Sequence, residues 1–440
     1  MKSSIFLFFF FFLSIFTLIF SVLGEYLLGD VVAVIILSLF LSILWSKYKE
    51  IFVVNGYIIF GLFTAILISL LVEKGAYLYE IDRNTYAIGI TQKIVIQVIF
   101  FFLGIILANK LFSASQASIY NLSPKILLLL SWGIRAIIVG LILLMFFIGL
   151  KYGTPREHHI HRNDYWAYIG PSWGAPLKEY LIQFSFFLGF LYKDNKRKID
   201  IFLYLFLLIA IIYMGERATG IFKALFFFFV PVLIKNIYFV KFFTFKRVLF
   251  IASFLLIMFF ILTMSYGEQV SQEDAISKIE TRVILQAQMW WALDLISSFE
   301  PQNIKLILDK YFGFLGDIRD VGTYFLMDLV ADRELVDYRF ETGATFTSSG
   351  FFNNIFFFGY IGGTIVNFFW GILLGLVSSF WIKSISTINI VASFVAFKLY
   401  FKLLVIILDA HTPNLFTVGM PMFFIICILF LKFPIKRLEN

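Results

Sequence analysis

Apolar runs of membrane length recur along the chain, separated by short segments in which charge collects, and this alternation predicts a helical bundle. An apolar helix needs about 20 residues to cross the hydrocarbon. Such runs lie at about 4–23, 29–45, 51–72, 93–109, 126–149, 179–192, 200–215, 221–239, 247–265, 354–382, 387–408 and 417–432, which predicts about twelve spans. The run at 179–192 is short, and that at 354–382 is long enough to tilt or to start outside the bilayer. The first run follows Met1-Lys2 and leads into Gly24-Glu25-Tyr26 without a small-residue cleavage site, so it reads as a retained span.

One segment, 266–353, is too long and too polar to be a turn. Ser271 with Asp274 three positions on suits a helix start. Behind it Ile276, Ile279, Val283, Ala287 and Trp290 recur at helical spacing, predicting an amphipathic helix to about Ser298. Trp290 and Trp291 suit the headgroup level or the top of the bundle. Pro301 opens a second helical piece with Ile304, Ile307 and Tyr311 on one side. From Gly343 to Gly363 the chain passes from small polar residues to apolar ones without a charge. That predicts a loop whose hydroxyls and amides face a ligand, or else a plain polar approach to a small-residue packing helix. The chain thus divides into a bundle with the first nine spans (1–265), a large loop (266–353) and a last bundle of three spans (354–440).

Composition strengthens the membrane reading. Apolar residues make up 61% of the chain and charged ones 15%, against roughly 25% charged in a soluble domain. The single cysteine, Cys427, lies in an apolar run, so no intrachain disulfide or cysteine-based metal cluster is available. Lys47, Lys49, Lys110, Lys125, Lys193, Lys196, Arg197, Lys198, Lys241, Lys246, Arg247, Lys383, Lys432, Lys436 and Arg437 fall in alternate loops, together with Lys2. The positive-inside rule then puts both termini in the cytoplasm and the large loop outside. That loop holds 14 acidic and 7 basic residues, so the net +8 of the chain resides elsewhere and reflects anchoring beside anionic lipid, not nucleic-acid binding. No nucleotide-binding loop, zinc-ligand spacing or internal repeat appears, so no cofactor or metal is expected.

Candidate chemistry gathers in the segments assigned outside. Arg217, in the turn Gly215-Glu216-Arg217-Ala218-Thr219-Gly220, must stay near the ends of two spans, where its fork suits phosphate oxygens. Pairing with Glu216 or snorkelling is the plainer reading. Arg282 flanks the apolar stripe of the loop helix and offers a second clamp, or a solvated surface cation. The loop 151–178 carries Arg156, His158, His159, His161 and Arg162, a source of a general base or phosphate contacts, or simply a polar surface. His411 is a separate base candidate. Tyr165 and Trp166 offer faces for sugar rings, although interfacial anchoring explains them almost as well. Thr345 and Thr347 supply hydroxyls in the polar approach to the tenth apolar run.

These features together resemble the bacterial O-antigen polymerases of the Wzy type. The resemblance covers most of the chain: Phe/Leu/Ile-rich spans, a medium outer loop, then a large one. Locally it rests on Gly215 to Gly220, on Thr281-Arg282 and on Gly343 to Gly363. It implies an all-α, polytopic, GT-C-like fold in the bacterial inner membrane with a large helical periplasmic loop. It also implies a metal-independent, inverting glycosyl transfer at the periplasmic face. The growing glycan would leave undecaprenyl pyrophosphate and join the non-reducing end of an incoming lipid-linked unit. Arg217 and Arg282 would contact pyrophosphate, and a flippase and a chain-length regulator would be partner proteins. An O-antigen ligase-like enzyme is the nearest alternative, but 266–353 contains no histidine of the kind its large loop is expected to carry. A lipid-linked oligosaccharide flippase is the alternative from another class.

Overall fold

A computed structural model describes residues 26–115, 118–120, 122–195, 197–216, 218–236, 281, 283–315, 317–347, 350–417 and 419–432. Among the described residues the apolar runs fold as helices: α1 (Tyr26–Lys47), α2 (Lys49–Val54), α3 (Gly56–Glu73), α4 (Ile90–Ala114), α5 (Pro124–Tyr152), α6 (Gly174–Asn195), α7 (Lys198–Tyr213) and α8 (Ala218–Asn236). After the large loop come α9 (Gln288–Ile296), α10 (Gly322–Asp328), α11 (Arg333–Glu341), α12 (Gly350–Ser386), α13 (Ile390–Asp409) and α14 (Gly419–Leu429). Among the described residues seven helices are long and apolar enough to cross a membrane, namely α1, α3, α4, α5, α12, α13 and the stretch Thr219–Asn236 of α8. The molecule is therefore an all-α, multi-pass membrane protein. The expected spans 179–192, 200–215 and 417–432 are helical as α6, α7 and the short α14, and lie outside that set of seven. Those at 4–23 and 247–265 lie outside the described residues.

α4 and α12 form the most extensive seam of the bundle. Their backbones nearly touch: a Cβ on Gly371 would stand 2.0 Å from the Phe101 carbonyl oxygen, so only glycine permits the approach. Along this seam Asn367 donates to Gln97 Oε1 at 2.9 Å and accepts from Asn354, which in turn accepts from the Tyr311 hydroxyl at 2.7 Å. These amides lie in an apolar surround, where an unmet polar group would cost several kcal/mol in the absence of water.

α12 is two helices in one. Gly359 adopts φ 71° and ψ 172°, outside the helical region, and breaks the run. The shorter arm, 350–358, folds back along the longer one, so that Asn367 Nδ2 also reaches the Phe351 carbonyl at 3.4 Å. Gly350 meanwhile abuts the Ile407 carbonyl near the end of α13. The apolar approach predicted over 343–363 is thus a re-entrant hairpin sunk into the bundle.

The connections of one face of the bundle pack on one another. Glu80, in the loop after α3, accepts from Gln288 and Arg339. The Tyr338 hydroxyl donates to Asp164 at 2.7 Å, joining the large loop to the medium one. Trp290 and Trp291 are fully buried, and the Trp291 indole donates to the Tyr86 carbonyl at 3.0 Å. Of the two placements open to them, the top of the bundle is the one observed. On the opposite face Ser118–Ile119 pairs with Leu431–Lys432 as a short antiparallel ladder.

Candidate functional site

Below the loop face, ionisable side chains from α6, α8 and α13 enter the apolar bundle. The turn between α7 and α8 is set by Gly215, whose φ of +77° allows the Glu216 amide to donate to the Ile211 carbonyl at 2.9 Å and its own amide to donate to Ile212 at 3.0 Å. This is a Schellman ending, and it fixes the direction in which Glu216 leaves the helix. Its carboxylate receives Lys178 Nζ at 2.6 Å and the Arg162 guanidinium on its other oxygen. Burial pushes the carboxyl up, yet Lys178 and Arg162 outweigh it and hold Glu216 below the usual carboxylate range.

Deeper charges follow. Lys223 lies five residues into α8, and Lys402 and Lys398 lie seven and eleven residues back from Asp409 along α13, about 8, 10 and 16 Å from those helix ends. Glu179, Asp409 and Glu216 are electrostatic neighbours of Lys223, while Lys402 and Glu179 are neighbours of Lys398. Lys398 donates to Gln183 and rests over the Tyr180 ring, 4.1 Å from its centroid. Lys223 sits 5.5 Å from the centroid of Phe401, and Lys402 5.6 Å from that of Phe423. Among the described residues no carboxylate comes within ion-pair distance of Lys223, Lys398 or Lys402. Among the described residues five cations (Arg162, Lys178, Lys223, Lys398 and Lys402) thus lie in the neighbourhood of three carboxylates (Glu179, Asp409 and Glu216), a positive excess that suits an anionic ligand.

The large loop roofs this region. Thr412, just beyond α13, donates to the Tyr311 carbonyl, and the Tyr324 ring lies 6.3 Å from that of His411. Burial holds the His411 imidazole below its ordinary pKa, so it is neutral and competent as a base near pH 7.

The residues singled out in the sequence are dispersed. Arg162 joins Glu216, and His411 stands under the loop roof. Arg217 and Arg282 lie outside the described residues. In the medium loop Thr154 and Glu157 cap each other's amides. His158 Nε2 contacts the Tyr152 carbonyl at 2.8 Å, His159 holds a left-handed φ of 54°, and His161 Nδ1 accepts from the Asn163 amide at 3.3 Å. Arg156 is exposed. Tyr165 and Trp166 are buried, and the Tyr165 hydroxyl donates to the Gly153 carbonyl at 2.7 Å. Thr347 donates to the Leu285 carbonyl at 3.3 Å, and Thr345 is partly buried beside it in sequence. Sequence reasoning passed over Lys178, Glu179, Lys223, Lys398, Lys402 and Asp409. For Lys223, Lys398 and Lys402 the signal was present, because an ionisable residue inside a membrane-length apolar run marks function by default.

Residues 317–425 match a family of unknown function, DUF6418. The matched stretch runs from the large loop through the re-entrant hairpin and α13 into α14, and so contains Lys398, Lys402, Asp409 and His411. No curated protein and no solved structure matches the chain.

Proposed function

We propose that this protein polymerises lipid-linked oligosaccharide repeat units at the periplasmic face of the bacterial inner membrane, as an inverting, metal-independent glycosyltransferase of the O-antigen polymerase type. The observation that carries this reading is the cation-rich cluster of Arg162, Lys178, Lys223, Lys398 and Lys402, recessed into an apolar bundle beneath a folded loop. A substrate with a lipid tail, a diphosphate and a polar glycan meets an apolar bundle, a positive cluster and a polar roof in that order. In this reading the chain crosses the membrane about twelve times in a GT-C-like arrangement, with both termini cytoplasmic.

In the reaction the bond between the anomeric carbon of the growing glycan and the diphosphate oxygen breaks. The hydroxyl of the incoming unit forms the new glycosidic bond from the opposite face and yields its proton to a base. The leaving diphosphate gains negative charge, and preorganised cations that stabilise this charge lower the barrier without a nucleotide. Asp409 and His411, at the mouth of the cluster, are the assigned bases, with Arg217 completing the hold on the leaving group. Undecaprenyl-pyrophosphate-linked oligosaccharide is the substrate, and a flippase that delivers it and a regulator of chain length are the partner proteins.

Reconstitution tests the proposal. Purified protein in proteoliposomes, given a defined lipid-diphosphate oligosaccharide and a chelator, is expected to produce a ladder of longer glycans. Absence of elongation, with intact lipid-linked glycan crossing between leaflets, would establish a transporter instead.

A further inference from the structure

We propose that Asp30, Glu73 and Gln92 form a binding site for an alkali-metal cation, sodium or potassium, where α1, α3 and α4 meet. The lysines of the cationic cluster belong to α6, α8 and α13, so the site stands apart from the polymerase reading. The ion braces helices and takes no part in the glycosyl transfer.

The site begins with an unmatched carboxylate. Asp30, on α1, is fully buried, and among the described residues no hydrogen bond reaches its Oδ1 or Oδ2. A carboxylate in an apolar bundle is costly unless a charge or donors compensate it. The side chains that interact with it are Glu73 and Gln92. Glu73, the last residue of α3, is also buried and accepts from the amides of Ile88 and Ile90 at 2.9 Å and of Thr91 at 3.2 Å. Those three donors serve Glu73 and leave Asp30 with none. Gln92, fully buried on α4, has a fixed orientation: Nε2 donates to the Tyr26 carbonyl at 2.9 Å, and turning the amide would set oxygen against oxygen. Its Oε1 therefore stays an acceptor and has no partner among the described residues. A Cβ on Gly29 would stand 2.9 Å from that oxygen, so glycine lets the amide lie against α1 one residue from Asp30.

Three unmet acceptors, Asp30 Oδ1, Asp30 Oδ2 and Gln92 Oε1, decide what fits. A proton on Asp30 forms a single hydrogen bond, to Glu73 or to Gln92, and leaves at least one acceptor unmet. A hard cation coordinated by oxygens meets all three at once, with Glu73 Oε2, which accepts only the longest of the amide bonds, as a fourth ligand. Its positive charge offsets one carboxylate while the amides serve the other. The neighbouring polar groups are committed elsewhere. Lys93 binds Asp294 at 2.6 Å, and the Thr91 hydroxyl lies 2.7 Å from that of Ser69, which donates to the Ile66 carbonyl. Neither Asp30 nor Glu73 has an ion pair among the described residues. No group of three His, Cys, Asp or Glu suited to a metal ion occurs among them either, which favours a singly charged ion over zinc or calcium.

The test uses the purified full chain in detergent at constant ionic strength, with choline chloride exchanged for sodium chloride or potassium chloride. The melting temperature is expected to rise with sodium or potassium, because an ion bound by the folded state alone stabilises it. Radiolabelled sodium should bind saturably and be displaced by potassium, and the ion giving the larger rise at equal concentration is the preferred occupant. Asp30→Asn keeps the shape and removes the charge, and should weaken sodium binding on the order of tenfold or more. Gln92→Leu, which deletes the neutral ligand, should weaken it too and carries the same comparison if Asp30→Asn does not fold. Asp337→Asn, on the surface of the large loop, should bind as the wild type does. Equal melting temperatures in sodium, potassium and choline chloride would overturn the site and leave a proton as the compensating charge. Sodium binding undiminished in Asp30→Asn and Gln92→Leu would overturn it as well.

Discussion

Glu216 and Lys178 face each other at 2.6 Å across the junction of α6 with the α7–α8 turn, both almost wholly buried. With Arg162 on the second oxygen, the carboxylate ties the medium loop to two helices at once. Glu216→Gln leaves two cations without their counter-charge. It should destabilise the protein by about 3 kcal/mol, near the lower end for a broken buried pair because Arg162 keeps some water. Denaturation of the detergent-solubilised protein, with Glu216→Asp as a partial rescue, measures it.

Stability should respond to acid in two steps. The folded Glu216 carboxyl has its pKa lowered, so its contribution is complete above the unfolded carboxylate range, about pH 4 to 4.5, and is lost as the pH falls through the lower folded value. His411 also has its pKa lowered by burial. The unfolded chain takes up a proton there near pH 6.5 while the folded one does not, so stability begins to fall as the pH drops below about 6.5. Melting temperatures between about pH 8 and 3 should show the His411 limb and then the Glu216 limb; His411→Gln should remove the upper and Glu216→Gln the lower.

The seam between α4 and α12 gives a third expectation. Asn367→Leu keeps the branching of the side chain but strips partners from Gln97 and Asn354, at a loss of about 1–3 kcal/mol. Tyr311→Phe, which removes the hydroxyl that donates to Asn354 and accepts a longer bond from the Trp370 indole at 3.3 Å, should lose less. The order of the two melting temperatures decides the matter.

Gly359→Ala should cost at least about 2 kcal/mol. It forces a side chain into the left-handed region and sets its Cβ 2.2 Å from the Phe299 carbonyl oxygen. Gly133→Ala, in open space on α5, is the control and should gain up to about 1 kcal/mol. Thermal melts that failed to separate the two would remove the hairpin's strain from the account.

Span-length periodicity was enough to read α1, α3, α4, α5, α8, α12 and α13 from residue order, since a lipid-facing helix must be apolar over its whole length. The fold-back of 350–358 was not readable, because Gly359 sits among other glycines and only φ distinguishes a hinge from a packing face. The medium-loop histidines drew attention through their crowding in sequence, yet His158 and His161 bond to their own loop. Lys398 and Lys402 went unnoticed because two charges barely dent the hydropathy of a long apolar run. That Lys223 and Lys398 share Glu179 as an electrostatic neighbour depends on helix packing that residue order does not encode.

The ladder between Leu431–Lys432 and Ser118–Ile119 clasps the last helix to the opposite side of the bundle. A rod pinned at its foot can swing only at its head, and the head of α14 is Gly419, beside Lys402. Displacement of α14 is therefore greatest at Gly419, and cutting the two strands apart would free the foot of the helix as well as its head.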